Sequence, residues 1–378
     1  MSKVKIETFT AVHIGNGNLL QKDMDYVIYE DEDKDSYIGI INPRKILPLI
    51  GVEHLNDWLL AIERKEDIRK FVARFNKKAT IDDYIFRSIT DYTGGKSLGT
   101  LKECLHNGMG VPYIPGSSIK GAIRTAVLAT IAQGKRASLE HWMFNLKGKL
   151  SAKKVESELF GPTANEDVFR FFQVGDAYFE KGCEVAYRMV NLNIRKTDSL
   201  KDGSKPQAVE AISCEFESEF DMRISKAAYG YAKTHGSKLK DLPAGMDSLS
   251  SLFDLVNEHT YGLVRKEITY WTEVDEQKSG AEDYLSNMKQ ILDEVEKCKQ
   301  GKECILRLGH GSGWRFITGA WAEMFRTEDW KDDSNNMYHK VVWASRPKAY
   351  QYQEYDFPKS RRLDYEGCLL GFVKLSLK

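Results

Sequence analysis

The stretch from Pro112 to Arg124, PYIPGSSIKGAIR, constrains the fold more tightly than any other part of the 378-residue chain. Pro112 and Pro115 hold the approach extended, Gly116 permits a tight turn, and Ser117 or Ser118 can cap a helix that begins at Ile119. The chain must pass here from extended to helical backbone. The helix N-terminus then offers free N–H groups beside two hydroxyls, with Lys120 in the first turn and Arg124 one turn later. Such an end suits an anion, phosphate being the natural one; it suits equally an ordinary capped helix whose bases face water.

Local charge has to decide between these readings, because the global balance is neutral: Lys plus Arg and Asp plus Glu are 55 each. Lys96, Lys102, Lys120, Arg124, Lys135 and Arg136 have only Glu103 against them in the same stretch, whereas residues 273–296 are strongly acidic. One part of the chain is suited to a polyanion and another to repelling it. With 42% hydrophobic and 29% charged residues, a chain of this length can form two cores. Six scattered cysteines with no CxxC pair, and no His at zinc-ligand spacing, predict a reduced cytoplasmic protein without a metal or cofactor. No run approaches a membrane span, so no membrane partner is expected.

Alternation over residues 3–14 predicts a strand running into Gly15-Asn16-Gly17, and residues 26–41 predict a hairpin with an acidic tip at Glu30 to Asp33. Three-to-four spacing from Pro43 to about Asn107 predicts a helical insertion. Residues 168–179 read as a central strand pairing with residues 184–192, and residues 212–224 as a half-buried strand. Helices are expected after Ser225, over residues 248–271 and 284–298, and beyond Gly313, with strands at 304–308 and 370–377. The order implies an α+β fold of two RRM-like (ferredoxin-like) domains, residues 1–225 with the insertion and residues 226–378 as a degenerate, helix-rich copy.

A second ligand-type segment runs from Arg307 to Arg315, RLGHGSGWR. Gly309, Gly311 and Gly313 let the backbone approach a ligand, and Arg307, His310, Ser312 and Arg315 add donors; the alternative is a turn chosen for tight packing. Lys359, Arg361 and Arg362 form a third basic loop, which alone reads as solvated surface. Thr93 to Ser97 has a Gly-Lys-Ser triplet but lacks P-loop spacing. His13 is a candidate acid/base for metal-independent RNA cleavage, and Asp23 and Asp25 a weaker metal pair. HD, GGDD-like and HExxH signatures are missing from the sequence.

In order along the chain, these segments resemble the motifs of the RAMP superfamily of CRISPR-associated proteins. Residues 10–17 are similar to its T-P-V-H-I-G-S-G, with Ala11 for proline; residues 114–124 to its I-P-G-S-S-[LI]-K-G-A-[LI]-R; and residues 159–161 to its L-F-G. Residues 307–314, 357–363 and 371–375 resemble R-[LI]-G-x-G-S-G-W, F-P-[KR]-[TS]-R-R-L and G-W-V-K-L, with Phe372 for tryptophan. That C-terminal trio narrows the likeness to the family of fifth subunits of type III-A Csm effector complexes.

The resemblance implies two RAMP domains and a non-catalytic subunit that binds crRNA, caps the backbone filament and supports crRNA 3'-end maturation. Partners implied are crRNA, other Csm subunits, chiefly the repeated backbone subunit, and host ribonucleases as further candidates. RNA contacts are expected at His13, Gly15, Asn16 and Gly17; at Gly116, Ser117, Ser118, Lys120, Gly121 and Arg124; at Arg307, Gly309, His310, Gly311, Ser312 and Gly313; and at Lys359, Arg361 and Arg362. Amide and cation contacts to the RNA backbone would be indifferent to guide sequence. A RAMP endoribonuclease using His13, and a generic RNA-binding protein, are the rival expectations.

Overall fold

Val4, Ile6 and Thr8 alternate along the first strand, Ser2–Thr8, and all three are fully buried. That strand lies at the centre of a five-stranded antiparallel sheet in the computed structural model, which describes residues 1–94, 98–146, 150–196, 199–236, 238–317, 319–345 and 349–378. The strand order is Glu303–Arg307, Phe372–Leu377, Ser2–Thr8, Glu217–Ile224, Phe172–Val174. Helix Gly116–Gly134 packs Ile119, Ile123 and Val127 into one core with Val4, Ile6, Phe220, Met222 and Leu375. Each such side chain contributes roughly 1.5–3 kcal/mol by leaving water. Helices Leu249–Gln277 and Glu282–Lys297 enclose a second core around Trp271, Tyr284, Met288, Ile305 and Phe372.

The other large sheet runs Gly15–Gln21, Thr100–Cys104, Lys201–Ile212, Glu184–Asn193, Ile85–Tyr92, Ser36–Ile41, Tyr26–Glu30, with Ser360–Asp364 also paired to Glu184–Asn193. It curls on itself, because a bridge between Lys22 and Tyr26 brings its two edge strands together. Tyr26, Ile38, Ile40, Ile89, Leu101, Ala186 and Ala208 fill the inside.

The mixed α/β composition agrees with expectation, as do the hairpin with its acidic exposed tip, the helix Lys226–Thr234 after Ser225 and the last strand. Two separate RRM-like units are not resolved. Strands from both sides of residue 225 share each of the two large sheets, so hydrogen-bonded ladders cross that boundary. The insertion is α-helical through Phe75, with one 3-10 turn at Ile81–Asp83; Ile85–Tyr92 and Thr100–Cys104 are strands. In Ile85–Tyr92 the period-two pattern of exposed Phe86 and Ser88 against buried Ile85 and Ile89 prevails over the helical reading.

Residues 168–179 form a 3-10 turn, Val168–Phe171, and two short strands, while Glu184–Asn193 pairs instead with Lys201–Ile212, Ile85–Tyr92 and Ser360–Asp364. The expected strand over 212–224 breaks at Glu215, which has φ 65°, and residues 134–154 contain the helix Arg136–Phe144. Beyond Gly313 come two 3-10 turns, Trp314–Phe316 and Ala320–Phe325. The Gly-Lys-Ser triplet at 95–97 lies outside the described residues.

Candidate nucleic-acid interface

The helix at Gly116 is built first of close packing. A Cβ on Gly116 would lie 2.3 Å from the Val174 carbonyl oxygen, so only glycine lets the helix end meet that strand. Pro115, not a serine, is the N-cap residue, and neither Ser117 nor Ser118 caps this end. The helix therefore starts three residues earlier than the sequence predicts. The Gly116 N–H donates to Asp176 Oδ1 at 2.7 Å, placing a carboxylate of the chain itself where an anion would sit.

Lys120 Nζ donates to the Phe172 carbonyl at 2.7 Å, and burial lowers its pKa. Arg124 donates to Glu156 at 2.8 Å and pairs with Asp167 at 2.9 Å, its guanidinium over the Phe160 and Phe169 rings. Both cations are engaged inside the protein, which corrects their reading as open anion donors. Ser117 and Gly121 are exposed on the outer side of the helix, and Ser118 is half-buried.

The glycine-rich segment after Glu303–Arg307 is different. Gly309 has φ 78°, and a Cβ there would lie 2.6 Å from the His13 carbonyl; the His310 N–H donates to that same carbonyl at 2.9 Å. The loops at 13–17 and 307–313, far apart in sequence, are thereby joined. Their imidazoles meet edge to face with centroids 5.4 Å apart.

Four basic side chains converge at this junction: His13, His310, Lys102 and Arg362. His310 is pushed down to about 4, first by burial and then by the charges of Lys102, His13 and Arg362. Burial, and then Lys102, lowers His13, whose Nδ1 is hydrogen-bonded to the Glu210 carbonyl. Lys102 is itself lowered by burial and by Arg362.

Among the described residues no carboxylate pairs with Lys102 or Arg362, and Arg362 Nη1 and His310 Nε2 are buried without a partner. The junction thus sets two cations without a paired carboxylate and two unmet nitrogens, among the described residues, beside a loop with three positive-φ glycines, Gly309, Gly311 and Gly313, an arrangement whose chemistry suits an anion. Lys102, on strand Thr100–Cys104, was legible only as part of a basic stretch. Its place at the site comes from the pairing of that strand with Gly15–Gln21.

Other expected contacts serve the fold. Arg307 donates to the Leu370 and Gly311 carbonyls between the rings of Phe316 and Phe372. Ser312 is buried and bonded to the Gly309 carbonyl. Arg361 makes two bonds to buried Glu267, at 2.6 and 2.8 Å, and Arg315 and Tyr284 bond the same carboxylate at 2.7 Å. Burial works to raise the Glu267 carboxyl, but the Arg361 and Arg315 charges prevail and hold it below the usual carboxylate range. Lys359 reaches Gln351 Oε1 at 2.6 Å. Asn16 and Asn18 both donate to Glu103, which also meets Arg87, so loop 15–18 is braced from beneath while Gly15 and Gly17 stay exposed.

Below that brace His106, Glu184 and Glu210 bring ligand-type atoms within 4.8 Å of one another. Glu210 already takes Arg87 and the Cys104 N–H, and Glu184 takes the Gly182 N–H and His106. The group is a set of largely buried, mutually bonded side chains beneath the sheet.

A model of the RAMP superfamily matches residues 5–316. The chain belongs to the RAMP superfamily. No curated protein matches it. In fold, this RAMP protein is similar to a chain of the Csm–crRNA–target RNA ternary complex of a type III-A CRISPR–Cas system, solved by cryo-EM. The TM-score is 0.66 at 19% identity, with all of both chains covered. It is also similar to the crystal structure of T. onnurineus Csm5, with TM-score 0.61 and 19% identity over 98% of this chain and 99% of that one. Among the described residues, no helix of this RAMP protein is long and apolar enough to cross a membrane.

Proposed function

We propose that this RAMP protein is the crRNA-binding and capping subunit of a type III-A CRISPR Csm ribonucleoprotein, non-catalytic and needed for crRNA 3'-end maturation and complex assembly. The observation that carries the reading is the junction of loops 13–17 and 307–313, where, among the described residues, Lys102 and Arg362 meet no carboxylate and Arg362 Nη1 and His310 Nε2 have no partner. Such a site takes a phosphate of any nucleotide, which a guide scaffold requires. Likeness over whole chain lengths to a Csm-complex chain and to a Csm5 supports the choice of subunit. The test is crRNA length and complex composition in cells carrying Lys102→Ala with Arg362→Ala. Longer crRNA and incomplete complexes are expected; unchanged processing and composition count against the reading.

A second reading, a metal-independent endoribonuclease, draws on the pairing of His13 with His310, since burial favours the neutral imidazole that a general base needs. Incubating the purified protein with a repeat-containing transcript in EDTA separates the two. Specific cleavage lost in both His13→Ala and His310→Ala would replace the first reading with the second.

A further inference from the structure

A cavity of about 510 Å³ lies between helix Gly116–Gly134, helix Leu249–Gln277 and the turn Ala320–Phe325. Its volume is in the range of pockets that hold small organic ligands. Three observations give it a chemistry. Arg136 and Lys266 line it, and among the described residues neither side chain forms an ion pair or a hydrogen bond; the Arg136 guanidinium lies over the Phe325 ring, at 5.9 Å. Trp321 also lines it, is 2% exposed, and has an indole N–H that is buried with no acceptor among the described residues. A buried N–H left unmet costs about as much as a lost hydrogen bond, so its persistence points to an acceptor brought by something else.

Of the two carboxylates that line the cavity, Glu323 is committed to Arg315 and to the Tyr338 hydroxyl, which leaves Glu258 as the uncommitted acid. A second cavity of about 460 Å³ shares Lys266 and Glu323 and adds Arg265, extending the basic lining along the same helix. None of these residues belongs to the loop junction at His13 and His310.

We infer that this cavity binds a phosphorylated nucleotide, its phosphate held by Arg136 and Lys266 and an acceptor atom of its base or sugar met by the Trp321 N–H. A free mononucleotide or the phosphorylated end of an RNA chain supplies the same groups. The inference is independent of the guide-RNA reading and stands or falls separately from it.

The experiment titrates the purified full chain with 5'-AMP, a 5'-phosphorylated RNA decamer and inorganic phosphate, following binding by calorimetry. Wild type is compared with Lys266→Ala, Arg136→Ala and Trp321→Phe, and Lys102→Ala with Arg362→Ala is the control for the other site. Saturable AMP binding, weakened about tenfold by each of the three variants and unchanged in the control, supports the inference with a free nucleotide as source. RNA-decamer binding weakened by each of the three variants further than by Lys102→Ala with Arg362→Ala alone, and none by AMP, supports it with an RNA end as source. No binding of either, AMP binding that the three variants leave unchanged, or no AMP binding together with decamer binding that they leave unchanged, overturns it. Lys266 is exposed, so its alanine variant keeps the test decisive if Trp321→Phe fails to fold.

Discussion

The helix end at Gly116 and the loop junction at His13 and His310 carry similar chemistry, glycine beside basic residues, yet they stand in opposite states. At the helix end, Asp176 takes the free amide while Glu156 and Asp167 take Arg124. At the junction, among the described residues, no carboxylate reaches Lys102 or Arg362, and two ring or guanidinium nitrogens are unmet. The contrast repeats within one strand, where Arg361 is locked onto Glu267 and its neighbour Arg362 is not paired. A basic residue in a ligand-like motif thus supports the fold when its acid lies inside the chain, and is available for a ligand when it does not.

Removing Glu267 strains the comparison hardest. Glu267→Gln leaves Arg361 and Arg315 short of their buried charge and is expected to cost about 3–5 kcal/mol in urea unfolding. A loss under 1 kcal/mol would show that these arginines are not structural. Arg124→Ala comes next, at roughly 2 kcal/mol, from two partly buried ion pairs and two ring contacts. Its RNA affinity, measured well below the unfolding midpoint, should stay near that of wild type; a large loss there would move the helix end back among the binding sites.

Lys102→Ala with Arg362→Ala should do the reverse, changing stability by no more than about 0.5 kcal/mol. It should weaken binding of a single-stranded RNA about tenfold and flatten the slope of log affinity against log salt by about 1.4. An unchanged slope would remove the junction from the interface.

The smallest effect concerns pH. Burial, with the charges of Lys102, His13 and Arg362, pushes His310 down to about 4 from its ordinary 6.5, so between these values the unfolded chain binds the proton more readily. The stability gained from keeping it neutral is present above about pH 6.5 and is lost as pH falls toward 4. Urea midpoints of His310→Phe should therefore fall less over that window than those of wild type.

Much of the fold was legible where a pattern is local. The hairpin with its acidic tip, the helices Leu249–Gln277 and Glu282–Lys297 and the strand Phe372–Leu377 follow from alternation or three-to-four spacing. Strand partners were not, because register depends on surfaces remote in sequence. Nothing in Glu184–Asn193 announces that Lys201–Ile212 and Ser360–Asp364 flank it. The same limit governs the site. Glycines and bases marked both loops, but Arg361 and Arg362 are chemically alike on paper, and only the position of Glu267 assigns them different work. Lys102 reaches the junction through its strand's pairing with Gly15–Gln21, which no spacing encodes.

The first strand, Ser2–Thr8, is held between Glu217–Ile224 and Phe372–Leu377. During synthesis on a ribosome, that early segment must wait for residues made hundreds of positions later before its second edge is covered. Until then Val4 and Ile6 belong to an open-edged sheet. A nascent chain stalled before Phe372 would therefore be exposed to chaperones and proteases along that strand as well as at its growing end.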